Sequence, residues 1–300
     1  MVLLGRLITA MVTPFDNDGG LDYRQARKLA SSLLASGSDG LIVSGTTGES
    51  PTLSGDEKVR LFREIKAEIG NKGAVIAGTG NYSTQESIDL TKEAEQEGVD
   101  ACLLVVPYYN KPTQEGLYQH FRAIADRTNL PCILYNVPSR TITSMSVETT
   151  LRLAQIENIV GIKEASGDLD QIGKIIDGAP DGFRVWSGND NDTFAVMSLG
   201  GYGIVSVASN LIGDQIKGMM KLILEGNTSE AASEHLRLLP ISKGLFVVSN
   251  PIPVKFALNQ SGFRVGKPRL PLIEPDEGVS KQILDMLSGY TVDIPIPTSI

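Results

Sequence analysis

A lysine sits inside the apolar run "VGIKEAS", residues 160–166. Strands buried on both faces read as near-continuous apolar runs, and lysine is almost never fully buried in one without a partner or a task. Side chains alternate along a strand. Gly161, Lys163 and Ala165 therefore share one face, and Val160, Ile162 and Glu164 share the other. The small neighbours leave room for a long side chain, and the opposite parity of Glu164 removes it as an ion-pair partner. Taking an amine out of water disfavours its charged form, and a neutral amine is a nucleophile toward a carbonyl. Such a lysine would form a Schiff base and needs no cofactor. The competing reading is a structural lysine that reaches solvent or bridges to a carboxylate.

Other groups fit the same chemistry. Tyr135, in "YNVPSRT" (135–141), carries a phenol that could pass protons to and from a carbinolamine if its strand lies beside that of Lys163. Otherwise it is a core tyrosine with its hydroxyl at a wet rim. "GTTGES" (45–50) places Thr46 and Thr47 between glycines ahead of a helix, an arrangement suited to a carboxylate. It lacks the lysine of a phosphate-binding loop. Arg140 offers a planar fork for a second carboxylate. Tyr108 and Tyr109 are adjacent and must diverge, one toward a site and the other into packing or a subunit contact. Cys102 and Cys132 lie in apolar stretches without metal-ligand spacing and read as reduced core thiols. The two histidines, His120 and His235, are far apart in sequence, so a zinc site or a Ser-His-Asp triad is poorly supplied. Carboxylates alone could still hold Mg²⁺. No metal site is assigned.

The elements that must position these residues alternate in kind. Short β-branched runs occupy 6–15, 40–45, 73–80, 101–109, 131–138, 159–166, 183–190 and 203–210. Between them the apolar residues recur at helical spacing, as with Val59, Phe62, Ile65 and Ile69, or Ala26, Leu29, Leu33 and Leu34. Ser54, Ser83 and Thr113 stand where helices should start, and Gly37, Gly70 and Gly98 where they should stop. Strand–helix alternation predicts an α/β fold with a parallel sheet and right-handed crossovers. Eight such units in about 225 residues match a (β/α)8 TIM barrel. An open doubly wound sheet is the alternative, but "TPFDNDGG" stands where its glycine fingerprint belongs. After residue 227 only helical pattern remains. The expected organisation is a catalytic barrel over 1–227 and a C-terminal helical extension over 228–300. In a TIM barrel chemistry collects at the C-terminal strand ends. There the sequence places "GTTGES", "PYYNKP", "YNVPSRT", Lys163, "SGND" and "SVASN".

Composition narrows the function classes. The chain has 300 residues, 41% of them hydrophobic and 21% charged, as expected of a globular protein with a full core. Its formal net charge of −8 argues against nucleic acid or an anionic membrane as a partner. The start, "MVLLGRLITAMVTPF", reads as a first strand rather than a signal peptide. No apolar run reaches the roughly 18 residues of a membrane span. A cytoplasmic location is expected.

The segments "GTTGES", "PYYNKPTQEGLYQHF", "YNVPSRT", "GIKEAS" and "NPIPVK", in this order, resemble those of the dihydrodipicolinate synthase family of class I pyruvate-dependent aldolases. The resemblance runs essentially end to end. It implies that Lys163 forms a Schiff base with pyruvate. Thr46, Tyr135 and Tyr109 would form a hydroxyl proton relay, with Tyr109 donated by a neighbouring subunit. Thr47 would help bind the pyruvate carboxylate, and Arg140 the carboxylate of L-aspartate 4-semialdehyde. Gly188 and the backbone of Val205 would line the site. Pyruvate's enamine would attack the semialdehyde, and cyclisation would give the heterocycle leading to diaminopimelate and lysine. The family is usually a homotetramer, a dimer of dimers. Several members are inhibited by lysine in a cleft that Ser50, Glu86 and Tyr108 match. Gly55, Lys58 and Tyr82 depart from sensitive forms, where histidines and an asparagine occur. A cation at position 58 would repel the inhibitor's ammonium group, so weak or absent inhibition is expected. Two other readings compete with this one. One is a related aldolase acting on another aldehyde, as for N-acetylneuraminate or 2-keto-3-deoxy sugar acids; the other is a non-catalytic oxo-acid sensor. Arg140 argues against the first, because a sugar acid asks for hydroxyl-binding groups there. The set Lys163, Tyr135 and Thr46 argues against the second.

Overall fold

Each apolar run forms a parallel strand in the computed structural model, which describes residues 4–296. The barrel units follow one another as β1 (Leu7–Ala10), α1 (Tyr23–Ala35), β2 (Gly40–Val43), α2 (Gly55–Ile69), β3 (Ala74–Gly78), α3 (Thr84–Gln96), β4 (Ala101–Val105), α4 (Gln114–Ala125), β5 (Cys132–Asn136), the short α5 (Pro138–Thr141) and α6 (Val147–Leu153). They continue with β6 (Ile159–Glu164), α7 (Leu169–Gly178), β7 (Arg184–Ser187), α8 (Thr193–Ser198), β8 (Gly203–Ser206) and α9 (Ser209–Leu224). Strand order equals chain order, and β8 pairs with β1 to close the barrel. The open-sheet alternative is excluded. The strands are shorter than the apolar runs. On β4 pairing stops at Val105, ahead of Pro107, which has no N–H to give a ladder.

Local sequence chemistry sets the helix ends. Ser54 makes a full capping box with Glu57, and the side chains of Ser83 and Thr113 accept the N–H groups of Glu86 and Gly116. Gly37, Gly70 and Gly98 take φ of +95°, +56° and +74° just past α1, α2 and α3.

Register fixes which side chains enter the barrel. Ile133 pairs with Gly161, Tyr135 with Lys163, and Lys163 with Trp186. Gly161 and Lys163 share the inward face, as parity predicts. The space beside Gly161, however, is taken by Trp186 and not by the lysine. A Cβ on Gly161 would stand 2.7 Å from the Trp186 ring. Trp186 is fully buried and donates its indole N–H to the Gly5 carbonyl at 3.1 Å, which floors the barrel beneath Lys163. Cys102 and Cys132 pair in register on the outer face, buried, with their sulfurs 3.4 Å apart.

Three helices follow: α10 (Thr228–Gly244), α11 (Ile252–Gln260) and α12 (Glu277–Leu287). Leu238, Ile241, Val254, Ala257 and Leu258 join the same buried cluster as the barrel residues. Residues 1–3 and 297–300, at the outer ends of the expected barrel and extension, lie outside the described residues. Among the described residues no helix is long and apolar enough to cross a membrane.

His120, on α4, is buried. It shares a 2.9 Å hydrogen bond between Nδ1 and the Thr84 hydroxyl, while Nε2 has no partner among the described residues. Burial pushes its pKa down to about 4 from 6.5. Between these values the unfolded chain binds a proton that the folded chain refuses. Stability therefore falls as pH drops from about 6.5 toward 4, by up to about 3 kcal/mol. Denaturant unfolding of the protein and of His120→Asn across that window checks this. The variant should lose the part of the slope that His120 supplies, and equal slopes would contradict the assignment.

Candidate active site

Strand order brings the predicted pair together. Lys163 on β6 stands beside Tyr135 on β5, and its Nζ lies 4.1 Å from the centre of the tyrosine ring. Both residues are buried, at 6% and 5% exposure. Glu164 turns away, as its parity requires. Its carboxylate accepts both Asn136 Nδ2 contacts, at 3.1 and 3.0 Å, and the Ser166 N–H at 2.8 Å. Burial pushes the Glu164 pKa up, against these hydrogen bonds.

The carboxylate that feels the Lys163 charge is Asp190, just past β7. It is buried and accepts the Ser206 hydroxyl, the Val207 N–H at 3.0 Å and the Ala208 N–H at 3.3 Å. Burial pushes its pKa up, while those donors and the more distant Lys163 charge pull it down. Asp190 thus ties the rim of β7 to that of β8. The sequence places "SGND" at the rim, but nothing in its local pattern marks this aspartate.

A cavity of about 310 Å³ opens over Lys163. Thr46, Thr47, Tyr135, Arg140, Gly188 and Asn250 are in its wall. A second cavity of about 200 Å³ adjoins it and shares Thr46, Tyr135, Val137 and Arg140; Ser44, Ser50 and Tyr108 also line it. The "GTTGES" turn reaches the site through strained backbone, with Ser44 and Glu49 both at φ +57°. Gly188 is needed for close approach, since a Cβ there would stand 2.6 Å from that of Ala165. Just past the eighth strand the lining residue is Val207. Val205 faces inward two residues deeper, paired with Ile8 and buried, and lines neither cavity.

The adjacent tyrosines diverge as expected. Tyr108 lines the second cavity and packs edge-on against Tyr82, with ring centres 5.2 Å apart. Tyr109, at φ +72°, is 94% exposed and lines neither cavity. Within one chain it is not brought to Lys163. Glu86 is exposed and accepts Asn81 Nδ2 at 2.9 Å. Lys58 feels it: burial lowers the lysine's pKa, and the Glu86 charge opposes that.

Sequence reasoning missed the contribution from beyond residue 227. Asn250 donates its Nδ2–H to the Thr47 hydroxyl at 2.9 Å, and its carbonyl accepts from Arg140 Nη2 at 3.2 Å. Lys255, fully buried, pairs with Glu49 at 2.8 Å. Both residues belong to "NPIPVK", whose long-range contacts cannot be read locally.

A closed parallel barrel with an amine, a phenol, hydroxyls and an arginine gathered at its C-terminal rim is the arrangement of an aldolase-type lyase. The chain belongs to the dihydrodipicolinate synthetase family, whose model matches residues 3–289. It is 62% identical over 293 residues to the 4-hydroxy-tetrahydrodipicolinate synthase of Dehalococcoides mccartyi (strain CBDB1), covering 98% of this chain and 99% of the relative. The crystal structure of a dihydrodipicolinate synthase from Bacillus anthracis superposes with a TM-score of 0.94 at 46% identity, over 96% of this chain and 99% of that one. A dihydrodipicolinate synthase from Cyanidioschyzon merolae, solved with lysine bound, gives a TM-score of 0.94 at 45% identity, over 95% and 98% of the two chains.

Proposed function

We propose that Lys163 forms the Schiff base of a 4-hydroxy-tetrahydrodipicolinate synthase, the lyase that condenses pyruvate with L-aspartate 4-semialdehyde on the route to diaminopimelate and lysine. The observation that carries this reading is the buried Lys163 amine against the Tyr135 ring, in a cavity that also presents Thr46, Thr47 and Arg140. The Lys163 amine adds to the pyruvate carbonyl, and water leaves as the imine forms. Tyr135, with Thr46, carries the protons of these steps. Loss of a methyl proton gives an enamine, whose carbon bonds to the aldehyde carbon of the second substrate. Thr47 holds the pyruvate carboxylate, and the Arg140 fork holds that of the semialdehyde. The substrate's own amino group then attacks the imine carbon and displaces Lys163, which closes the ring and frees the enzyme.

Gly188 and Val207 shape the chamber, and Val205 supports that wall from two residues deeper. Tyr109 completes the relay of a neighbouring subunit, which its 94% exposure permits. The assembly is a homotetramer, and the enzyme works in the cytoplasm. Residues 1–227 form the catalytic barrel and 228–300 the helical extension. The test of substrate class is product formation from pyruvate with each aldehyde in turn. Aspartate semialdehyde should be turned over, and the aldehydes of N-acetylneuraminate or 2-keto-3-deoxy sugar acids should not. The reverse preference would overturn the assignment.

Ser50, Glu86 and Tyr108 match the family's lysine cleft, but Lys58 already supplies a cation beside Glu86. Added lysine must compete with it, so millimolar lysine should leave the rate nearly unchanged. Half-inhibition at sub-millimolar lysine would refute this. Lys58→His should increase sensitivity.

A further inference from the structure

We propose that Asn250 is a positioning residue that orients the Thr47 hydroxyl toward the pyruvate carboxylate. This rests on the assignment of pyruvate to the Lys163 cavity. A threonine hydroxyl has one hydrogen to donate and lone pairs to accept with. The Asn250 Nδ2–H takes a Thr47 lone pair at 2.9 Å, which leaves the Thr47 hydrogen for another acceptor. Thr47 is 3% exposed and lines the Lys163 cavity, so the acceptor this geometry suits is a ligand there. The opposite amide orientation would reverse the bond: Thr47 would donate to Asn250 and be lost to the ligand. That orientation is disfavoured. Asn250 Oδ1 is buried without a partner among the described residues, and a buried NH₂ in its place would be the rarer vacancy.

The second contact of Asn250 sharpens the prediction. Arg140 is held by the main-chain carbonyl, at 3.2 Å, and not by the amide. A side-chain substitution therefore acts on the Thr47 arm and leaves the Arg140 contact in place. One residue from outside the barrel steadies both carboxylate-binding groups, through different atoms.

Asn250→Asp keeps the shape and reverses the polarity, because a carboxylate only accepts and would draw the Thr47 hydrogen to itself. KM for pyruvate should rise about tenfold, the loss of one hydrogen bond to a charged group. The added charge acts on both substrate carboxylates, but only pyruvate loses a hydrogen bond, so the semialdehyde KM should rise clearly less than the pyruvate KM. Thr47→Val should raise the pyruvate KM similarly, and the double variant should be little worse than either single one. Thr47→Ser, which keeps the hydroxyl, should raise the pyruvate KM less than Thr47→Val does. If Asn250→Asp does not fold, Asn250→Ala carries the same split at about threefold. An unchanged pyruvate KM, or equal rises in both KM values, would overturn the proposal. Borohydride trapping at saturating pyruvate reads the underlying assignment separately. No adduct in the parent protein removes the pyruvate site itself, whereas an adduct with unchanged KM in Asn250→Asp removes only the role of Asn250.

Discussion

Lys163→Ala should lose turnover by at least on the order of 10⁴-fold and lose all covalent trapping of pyruvate, while unfolding near the parent midpoint. Removing a nucleophile abolishes the covalent route, and the rest of the site cannot restore it. Lys163→Arg separates charge from nucleophilicity: a guanidinium keeps the cation and does not form the imine, so the same loss is expected. Stability should hold because Lys163 stacks on Tyr135 in an open cavity and makes no ion pair with Glu164, whose own hydrogen bonds go elsewhere. Steady-state kinetics and a thermal melt check both halves. Residual turnover within tenfold of the parent would contradict the role.

The second large effect is structural. Lys255→Met should destabilise the protein by about 3–5 kcal/mol, because it strands a buried carboxylate. Lys255 Nζ donates to Glu49 Oε1 at 2.8 Å and to the carbonyls of Thr13 and Lys267 at 3.0 Å each, over the Phe15 ring at 4.2 Å. Its partner's other oxygen accepts the Arg269 N–H at 2.8 Å. Arg269 reaches on to Glu57 at the start of α2. This chain of contacts pins α11 and the segment after it to the "GTTGES" turn. Burial presses the Lys255 pKa down, and Glu49 holds it up. Glu49→Gln alone should also be costly, but the pair Glu49→Gln with Lys255→Met should recover part of the loss, since it buries no charge. Denaturant titrations of the three variants check this, with a cost below about 1 kcal/mol for Lys255→Met as the contrary result. Glu49 is two residues from Thr47, so the pyruvate KM should rise along with the loss of stability.

Much of this was legible in the sequence because barrels are built from local repeats. The parity of "VGIKEAS" set Lys163 inward, and strand order in a closed barrel set it beside Tyr135. The cap serines ahead of α2 and α3 and the threonine ahead of α4 could be read one helix at a time. What escaped depends on distance along the chain. The depth that Trp186 takes beneath the lysine follows from register between strands, which no single run encodes. Val207, not Val205, is the lining residue because the strand's useful length is set by the rim and not by the apolar run. Asn250 meets Thr47 across 203 residues, and Lys255 meets Glu49 across 206. Tyr109 has no function that one chain can display, since it points to solvent.

The central claim is that the Lys163 amine attacks the pyruvate carbonyl. Borohydride reduction of the protein with pyruvate, followed by peptide mass mapping, tests it most directly. The expected result is one adduct, on the peptide holding Lys163, blocked by Lys163→Ala. Reduction without an adduct, or an adduct on a different lysine, would contradict it.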